Sequence, residues 1–338
     1  MNKNYNVPIT VLMAVYNGER WLAQSIYSVL EQTFTNFEFI IVNDGSDDRS
    51  LQIISQYAEK DSRIRIYTKQ NTGLADSLNY GIGKARGEWV ARIDADDICS
   101  VDRLKKQIAR ARLNKDLVLV GSGLTIIDGN GQQSKIHLYP EGHIRLTRRL
   151  FRGSPFFAHS SAFFRLTAVC ELGGYRTQFH RSQDQDLWLR LAELGKITCI
   201  KEPLVLIRKH DQQISLDNAG RRQFVYSHMA MTSYHLRLMG KLDPMESSAK
   251  QEIDVFHAFI LEQLTESQFF EHQQIIVELK TKISIANSRF AKFKIAVSNS
   301  LLNPDSMYRY IKYRFLGSNL PLKFARKWIN RIDIGVKY

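Results

Sequence analysis

Three carboxylates, Asp94, Asp96 and Asp97, follow directly on the mostly apolar run Trp89-Val90-Ala91-Arg92-Ile93. In an extended chain alternate side chains share a face, so Asp94 and Asp96 are expected to point the same way. Converging carboxylates repel each other unless a cation sits between them. An all-oxygen donor set suits Mg²⁺ or Mn²⁺, which bridge a few carboxylates to substrate phosphates. The competing reading is a solvated acidic turn ahead of a helix beginning near Asp102, and it is the one that best suits Asp97.

The elements that must position these groups alternate in type. Ile9 to Val15 reads as a buried strand, followed by a helix carrying Trp21, Leu22, Ile26, Val29 and Leu30. Phe37 to Val42, Ile64 to Tyr67 and the run ending at Asp94 are further strands, with helices on Leu51–Tyr57 and Leu74–Ala85 between them. This alternation argues for an α/β fold with a doubly wound, mostly parallel sheet, whose ligands bind beyond the carboxyl ends of the strands. The polar clusters lie where strands stop: Tyr16-Asn17-Gly18-Glu19, Asn43-Asp44-Gly45-Ser46 and Asp94-Ala95-Asp96. Each alone reads as a turn; three at one sheet edge make a place for a nucleotide. A dinucleotide-binding Rossmann domain fails on position, because Gly81 to Gly87 precedes a strand and has the wrong spacing.

Beyond residue 115 the pattern predicts strands over Leu117–Ile127 and Ser134–Tyr139, joined by a turn at Asp128–Gly131. Phe156 to Arg165 reads as extended, Gln183 to Leu194 as a helix, and Ile197–Ile200 and Leu204–Ile207 as two strands. From Gly220 the chain reads as helical. A boundary near 215–225 gives one domain over 1–218, divided into halves 1–98 and 99–218, and a helical basic region over 219–338.

The 338 residues suffice for a large core, and Cys99, Cys170 and Cys199 form no metal or disulfide pattern, so a reduced, cytoplasmic setting is expected. No secretory h-region opens the chain and no stretch approaches the roughly 18 apolar residues of a spanning helix. The net charge is +13, and from Arg289 onward eleven Lys and Arg face only Asp305 and Asp333, leaving nine of the thirteen charges there.

Ala14-Val15-Tyr16-Asn17, Val42 to Asp48, Asn71-Thr72-Gly73-Leu74, Gly87-Glu88 and Arg92 to Asp97 together resemble the family 2 inverting glycosyltransferases of bacterial surface polysaccharides. The resemblance implies a GT-A fold and a nucleotide-diphospho-sugar donor, usually UDP-linked. Asp44 would then contact the base, Asp94 the ribose or metal, and Asp96 the Mn²⁺ or Mg²⁺ ion on the diphosphate. Val15, Tyr16, Asn17, Glu19, Asn71, Gly73, Arg92 and Ala95 would line the donor site.

Ser182-Gln183-Asp184-Gln185-Asp186 resembles the family's acidic-pair segment, which makes Asp184 the general base. Direct displacement at an anomeric carbon needs an acceptor hydroxyl made nucleophilic, and a carboxylate in reach can take its proton. Gln183 stands where the family usually has Glu. Ser182 with Gln185 also fits a capping box, which makes Asp184 a first-turn acid favoured by the helix dipole. Asp186 lies about 200° further round a helix, so the two cannot face one sugar. Pro155 to Ser161 resembles the acceptor-side segment, placing His159, Ser160 and Trp188 there, although His159 reads equally as a buried structural residue. Arg208-Lys209-His210 resembles the family's Arg-x-His element, with His210 on the diphosphate or the metal.

Met307 to Leu316 and Leu322 to Ile329 interleave cations with aromatics. On helices these form an apolar stripe flanked by charge, suited to anionic lipid, or a helix packed on its own domain. The combined expectation is single-sugar transfer to a glycan or lipid-linked glycan at the inner face of a membrane, with peripheral contact and a homodimer open. A catalytically silent sugar-nucleotide-binding module is the alternative. Nucleic acid comes last, since no binding motif accompanies the charge.

Overall fold

The computed structural model describes residues 7–151, 156–210, 221–267, 269 and 319–333. The chain divides into two compact units, Met1–Leu150 with Ser154–Asp217, and Phe151–Gly153 with Asn218–Tyr338.

The first unit runs β1 (Val7–Val15), α1 (Glu19–Leu30), β2 (Phe37–Asn43), α2 (Ser50–Ala58), β3 (Ile64–Thr68), α3 (Leu74–Lys84), β4 (Gly87–Arg92), β5 (Ile98–Cys99), α4 (Arg103–Arg112), β6 (Leu117–Ile127), β7 (Gln133–His137), α5 (His143–Phe151), β8 (Phe163–Arg165), α6 (Leu166–Glu171), α7 (Gln183–Leu194) and β9 (Lys196–Arg208). One nine-stranded sheet has the order β3-β2-β1-β4-β8-β6-β9-β5, with β7 paired to β6. β3, β2, β1 and β4 are mutually parallel. β8 pairs antiparallel with both β4 and β6, and β9 runs parallel to β6. This is the mixed, mostly parallel sheet expected. The first strands are continuous apolar runs because helices cover both faces. Ile9, Val11, Met13, Phe39, Ile41, Leu22 and Ile26 meet in one buried core. Gly87 opens β4 because a Cβ there would lie 2.3 Å from the Thr10 nitrogen.

Three local expectations change. Phe156 to Arg165 is not extended throughout: His159–Ser161 forms a 3₁₀ turn and only Phe163–Arg165 is strand. The two strands expected after α7 are one strand, β9, in which Lys201 and Glu202 bulge out where pairing jumps from Ser122–Ile200 to Gly123–Pro203. Pro203 has no N–H to give to the ladder, so the break falls beside it. β4 ends at Arg92, and Asp97 N–H reaches back to the Asp94 carbonyl at 3.4 Å, so the acidic residues sit on a turn and not on an extended run.

The second unit contains α8 (Arg221–Leu238), α9 (Lys250–Glu266) and α10 (Leu320–Asp333) among its described residues. α10 buries Phe324, Ala325 and Trp328, with the Trp328 ring 4.9 Å from Phe256 and 5.0 Å from Phe259. Its aromatic stripe therefore packs within its own unit, while Lys323, Arg326 and Lys327 face outward. This corrects the lipid-facing reading for Leu322–Ile329; Met307–Leu316 lies outside the described residues. Among the described helices none is long and apolar enough to cross a membrane.

Candidate functional site

The loops after β1 and β2 are stitched together. Asp44 N–H donates to the Val15 carbonyl at 2.8 Å, and Asp47 N–H donates to Asn17 Oδ1 at 2.9 Å. Asn17 adopts φ 51°, a left-handed conformation that Asn tolerates. Its own N–H donates to Ser46 Oγ at 3.1 Å. Glu19 Oε2 accepts from Arg49 N and Nε at 3.0 and 3.1 Å. Tyr16, just past the strand end, is exposed.

Asp44 is buried and already engaged: it accepts from Lys69 Nζ at 2.6 Å, Thr72 N at 3.1 Å and Gly73 N at 3.0 Å. Its carboxylate thus anchors the loop that carries exposed Asn71 and the left-handed Gly73. Burial would lower the Lys69 pKa, but hydrogen bonds to Asp44 and Asp76 outweigh it and hold the ammonium above its ordinary value.

The acidic turn gathers tightly. One oxygen each from Asp94, Asp96 and Asp97 lies within 4.8 Å of the other two. Arg92 is buried and grips Asp94 with both terminal nitrogens, a bidentate fork. Ser160, expected on the acceptor side, is the hub of this cluster. Its Oγ accepts from Arg92 Nη1 and Asp94 N, each at 3.1 Å, and lies 2.9 Å from Asp94 Oδ2 and in hydrogen-bond contact with Asp97.

Asp97 is not the solvated turn residue anticipated. It is buried, accepts from Arg208 N–H at 2.9 Å, and titrates well above the carboxylate range because of burial and the charges of Asp96 and Asp94. Asp96 is raised by burial and by Asp94, against the pull of His210, whose Nε2 lies 2.9 Å from Asp96 Oδ2. Ala95 between them packs on the core. Carboxylates crowded until their protons are held more tightly form the hard, all-oxygen donor set that a divalent cation relieves. Mg²⁺ or Mn²⁺ fits these residues.

Asp184 is the second residue of α7 and accepts the Gln185 N–H at 2.9 Å. Burial raises its pKa, Arg92 lowers it and Asp94 raises it, so the three share one electrostatic neighbourhood. The capping box is absent: Ser182 takes φ 54° and makes no side-chain cap, and Gln185 Nε2 instead donates to the Leu150 carbonyl at 3.3 Å. Asp186 turns inward to Arg190 Nη2 at 2.8 Å and Arg176 Nη1 at 3.4 Å.

His159 Nε2 lies 2.7 Å from the Tyr175 hydroxyl, and burial together with Arg92 pushes its pKa well below the ordinary histidine value, so it is neutral. Trp188 is only 1 % exposed, among Phe157, Phe164 and His159. It is a core residue and offers no surface to an acceptor.

Arg92, Asp94, Asp96, Ser160, His210 and Asp184 thus converge, while Val15, Asn17, Glu19 and Asp44 build the adjoining loops. Ser25 Oγ links the two groups by donating to the Asp94 carbonyl at 2.9 Å. Sequence reasoning named Arg208 in the Arg-x-His element without giving it a role, and missed Lys69, just past the end of β3, and Tyr175, which no local pattern marks.

Comparison with known proteins bears on the family and the fold. The family described as Glycosyl transferase family 2 matches residues 10–173. EpsE of Bacillus subtilis (strain 168) is 37 % identical over 231 residues, covering 66 % of this chain and 79 % of EpsE. The O-antigen biosynthesis glycosyltransferase WbnJ of Escherichia coli is 36 % identical over 187 residues, 54 % of this chain and 71 % of WbnJ. Among solved structures, S. aureus TarS 1–349 in complex with UDP-GlcNAc superimposes with a TM-score of 0.58 at 16 % identity, covering 95 % of this chain and 92 % of that one. That likeness establishes the fold, and the relatives establish the lineage: the chain belongs to glycosyl transferase family 2 and is a glycosyltransferase of GT-A fold.

Proposed function

We propose that this glycosyltransferase moves one sugar from a UDP-sugar to a glycan acceptor, with inversion, in polysaccharide biosynthesis. The observation that carries the reading is the cluster of Arg92, Asp94, Asp96 and His210 in the same electrostatic neighbourhood as Asp184. UDP-GlcNAc on TarS and the O-antigen role in WbnJ's name support the donor and the pathway class.

In this reading Asp44 and the loops at Asn17 and Gly73 cradle the nucleoside, and Asp94 with Asp96 receives the diphosphate end. Asp184 takes the acceptor hydroxyl proton as that oxygen bonds to the anomeric carbon and the carbon–phosphate-oxygen bond breaks. Burial makes Asp184 a stronger base once ionised. Mn²⁺ or Mg²⁺ held by Asp96, Asp94 and His210 would supply Lewis-acid neutralisation of the departing diphosphate. Residues 1–218 would form the catalytic domain. The acceptor is proposed as a lipid-linked glycan at the cytoplasmic membrane face, supported by the basic surplus of the C-terminal region.

The test is a thermal shift with UDP, with and without Mn²⁺. UDP raises Tm only with the metal, and Asp96→Ala removes the shift. Equal stabilisation by UDP in the presence of EDTA would refute the metal reading.

A further inference from the structure

His210 lies two residues past the end of β9, yet its ring is placed on Asp96. One nitrogen, Nε2, makes that contact at 2.9 Å; the other, Nδ1, is buried and has no partner among the described residues. A ring tied through a single nitrogen can swing about that bond, so another group must fix its plane. That group is Trp21, on the first turn of α1. Its indole centroid stands 4.3 Å from the His210 centroid, with the planes 38° apart.

Trp21 is itself held from three directions. Its Nε1–H donates to the Gly129 carbonyl at 3.2 Å. The Arg20 guanidinium lies 4.4 Å from the ring centroid and that of Arg208 lies 5.5 Å away. Arg208 joins these parts. Its Nη1 donates to the Asp128 and Gly129 carbonyls at 3.1 and 3.3 Å, its Nη2 to Gln24 Oε1 at 2.6 Å, and its Nε to the Asp96 carbonyl at 3.0 Å. The turn between β6 and β7, the start of α1 and the acidic turn are therefore tied at one point, and the indole is the face they present to His210.

We propose that Trp21 is a positioning residue: it fixes the His210 imidazole on Asp96 and so sets how tightly the acidic turn holds a divalent ion with its nucleotide. This rests on the metal reading above. The effect of Trp21 on the ion then runs through His210, because Arg208 holds the acidic turn by its own bonds to the Asp96 carbonyl and the Asp97 carboxylate.

The experiment is calorimetric titration of UDP in the presence of Mn²⁺ on the full chain. An aromatic pair of this kind accounts for roughly five- to tenfold in affinity. Trp21→Leu, which keeps apolar bulk on a half-buried position, should weaken binding by that factor, and Trp21→Phe, which keeps the ring, should recover most of it. In a His210→Ala background Trp21→Leu should cost less than about twofold, because the coupling partner is gone. Unchanged binding by Trp21→Leu, or an equal loss with and without His210, would overturn the proposal. Asp96→Ala that binds UDP and Mn²⁺ as the parent does would instead overturn the metal reading, through a variant that leaves Trp21 untouched.

Discussion

Asp184 and Asp186 stand two residues apart on α7, and the structure gives them opposite dependencies. Asp186 is 1 % exposed and paired with Arg190, itself 4 % exposed. Breaking such a buried pair from one side costs about 3–5 kcal/mol, since the remaining charge is left uncompensated. Arg190 keeps the Leu172 and Gly174 carbonyls at 3.0 and 2.9 Å, which places Asp186→Ala near the lower end, at about 3 kcal/mol. For a unit of this size that is a Tm fall of roughly 6–12 °C.

Asp184→Asn should do the reverse. Burial raises the Asp184 pKa, so the ionised form is a cost to the fold, and stability is lost as pH rises from the ordinary carboxylate range through the raised value. A neutral amide of equal size abolishes that loss, so Tm at neutral pH holds or rises. Turnover should fall by roughly 10²- to 10⁴-fold, the usual worth of a general base. Thermal denaturation and initial-rate measurements on both variants decide the matter. The assignment fails if Asp184→Asn loses as much Tm as Asp186→Ala, or keeps its turnover.

Two further outcomes follow from other sites. Burial drives the His228 pKa down to about 4, against a hydrogen bond to the Phe224 carbonyl that raises it. Its neutral form supports the fold above the unfolded value near 6.5, and that support is lost as pH falls towards 4, amounting to about 3 kcal/mol. His228→Leu should flatten the stability profile of its unit between those pH values, and an unaltered acid midpoint would contradict this. Arg92→Lys keeps the charge but loses the fork on Asp94, so UDP affinity with Mn²⁺ should drop about tenfold in the same titration. Undiminished affinity would mean that the bidentate geometry is dispensable.

The parallel half of the sheet was readable because β1, β2 and β4 are buried on both faces and end in turn-forming residues. β8 was not, since three residues, Phe163–Arg165, carry too little pattern to reveal that they pair with both Val90 and Leu119. Asp94 and Asp96 were readable from their spacing, and Asp184 only from the likeness of its segment to the family's acidic pair. The groups that orient them come from far along the chain: Ser160 reaches Asp94 across 66 residues, and Arg208 reaches the Asp97 carboxylate across 111. Tertiary packing, not local preference, makes those contacts. The same holds for Ser182, whose left-handed backbone prevents the cap that its spacing with Gln185 suggested. Leu322–Ile329 misled for a related reason, since an apolar stripe beside cations looks the same whether lipid or α8 and α9 will cover it.

Ile9, Leu12 and Met13 of β1, like Phe39, Ile40 and Ile41 of β2, have no exposed surface, whereas Asn17, Asp44, Asp94 and Asp96 all lie past a strand end. The load of folding thus falls on the strands, and the candidate site is built on their last residues and the loops that follow. The segments 16–19, 44–48 and 69–73 are bonded to one another through Asn17, Ser46 and Asp44, so they form one interlocked insert seated on the strands. A change in any one of them is therefore felt by the other two, while the buried strands beneath keep the frame that folds.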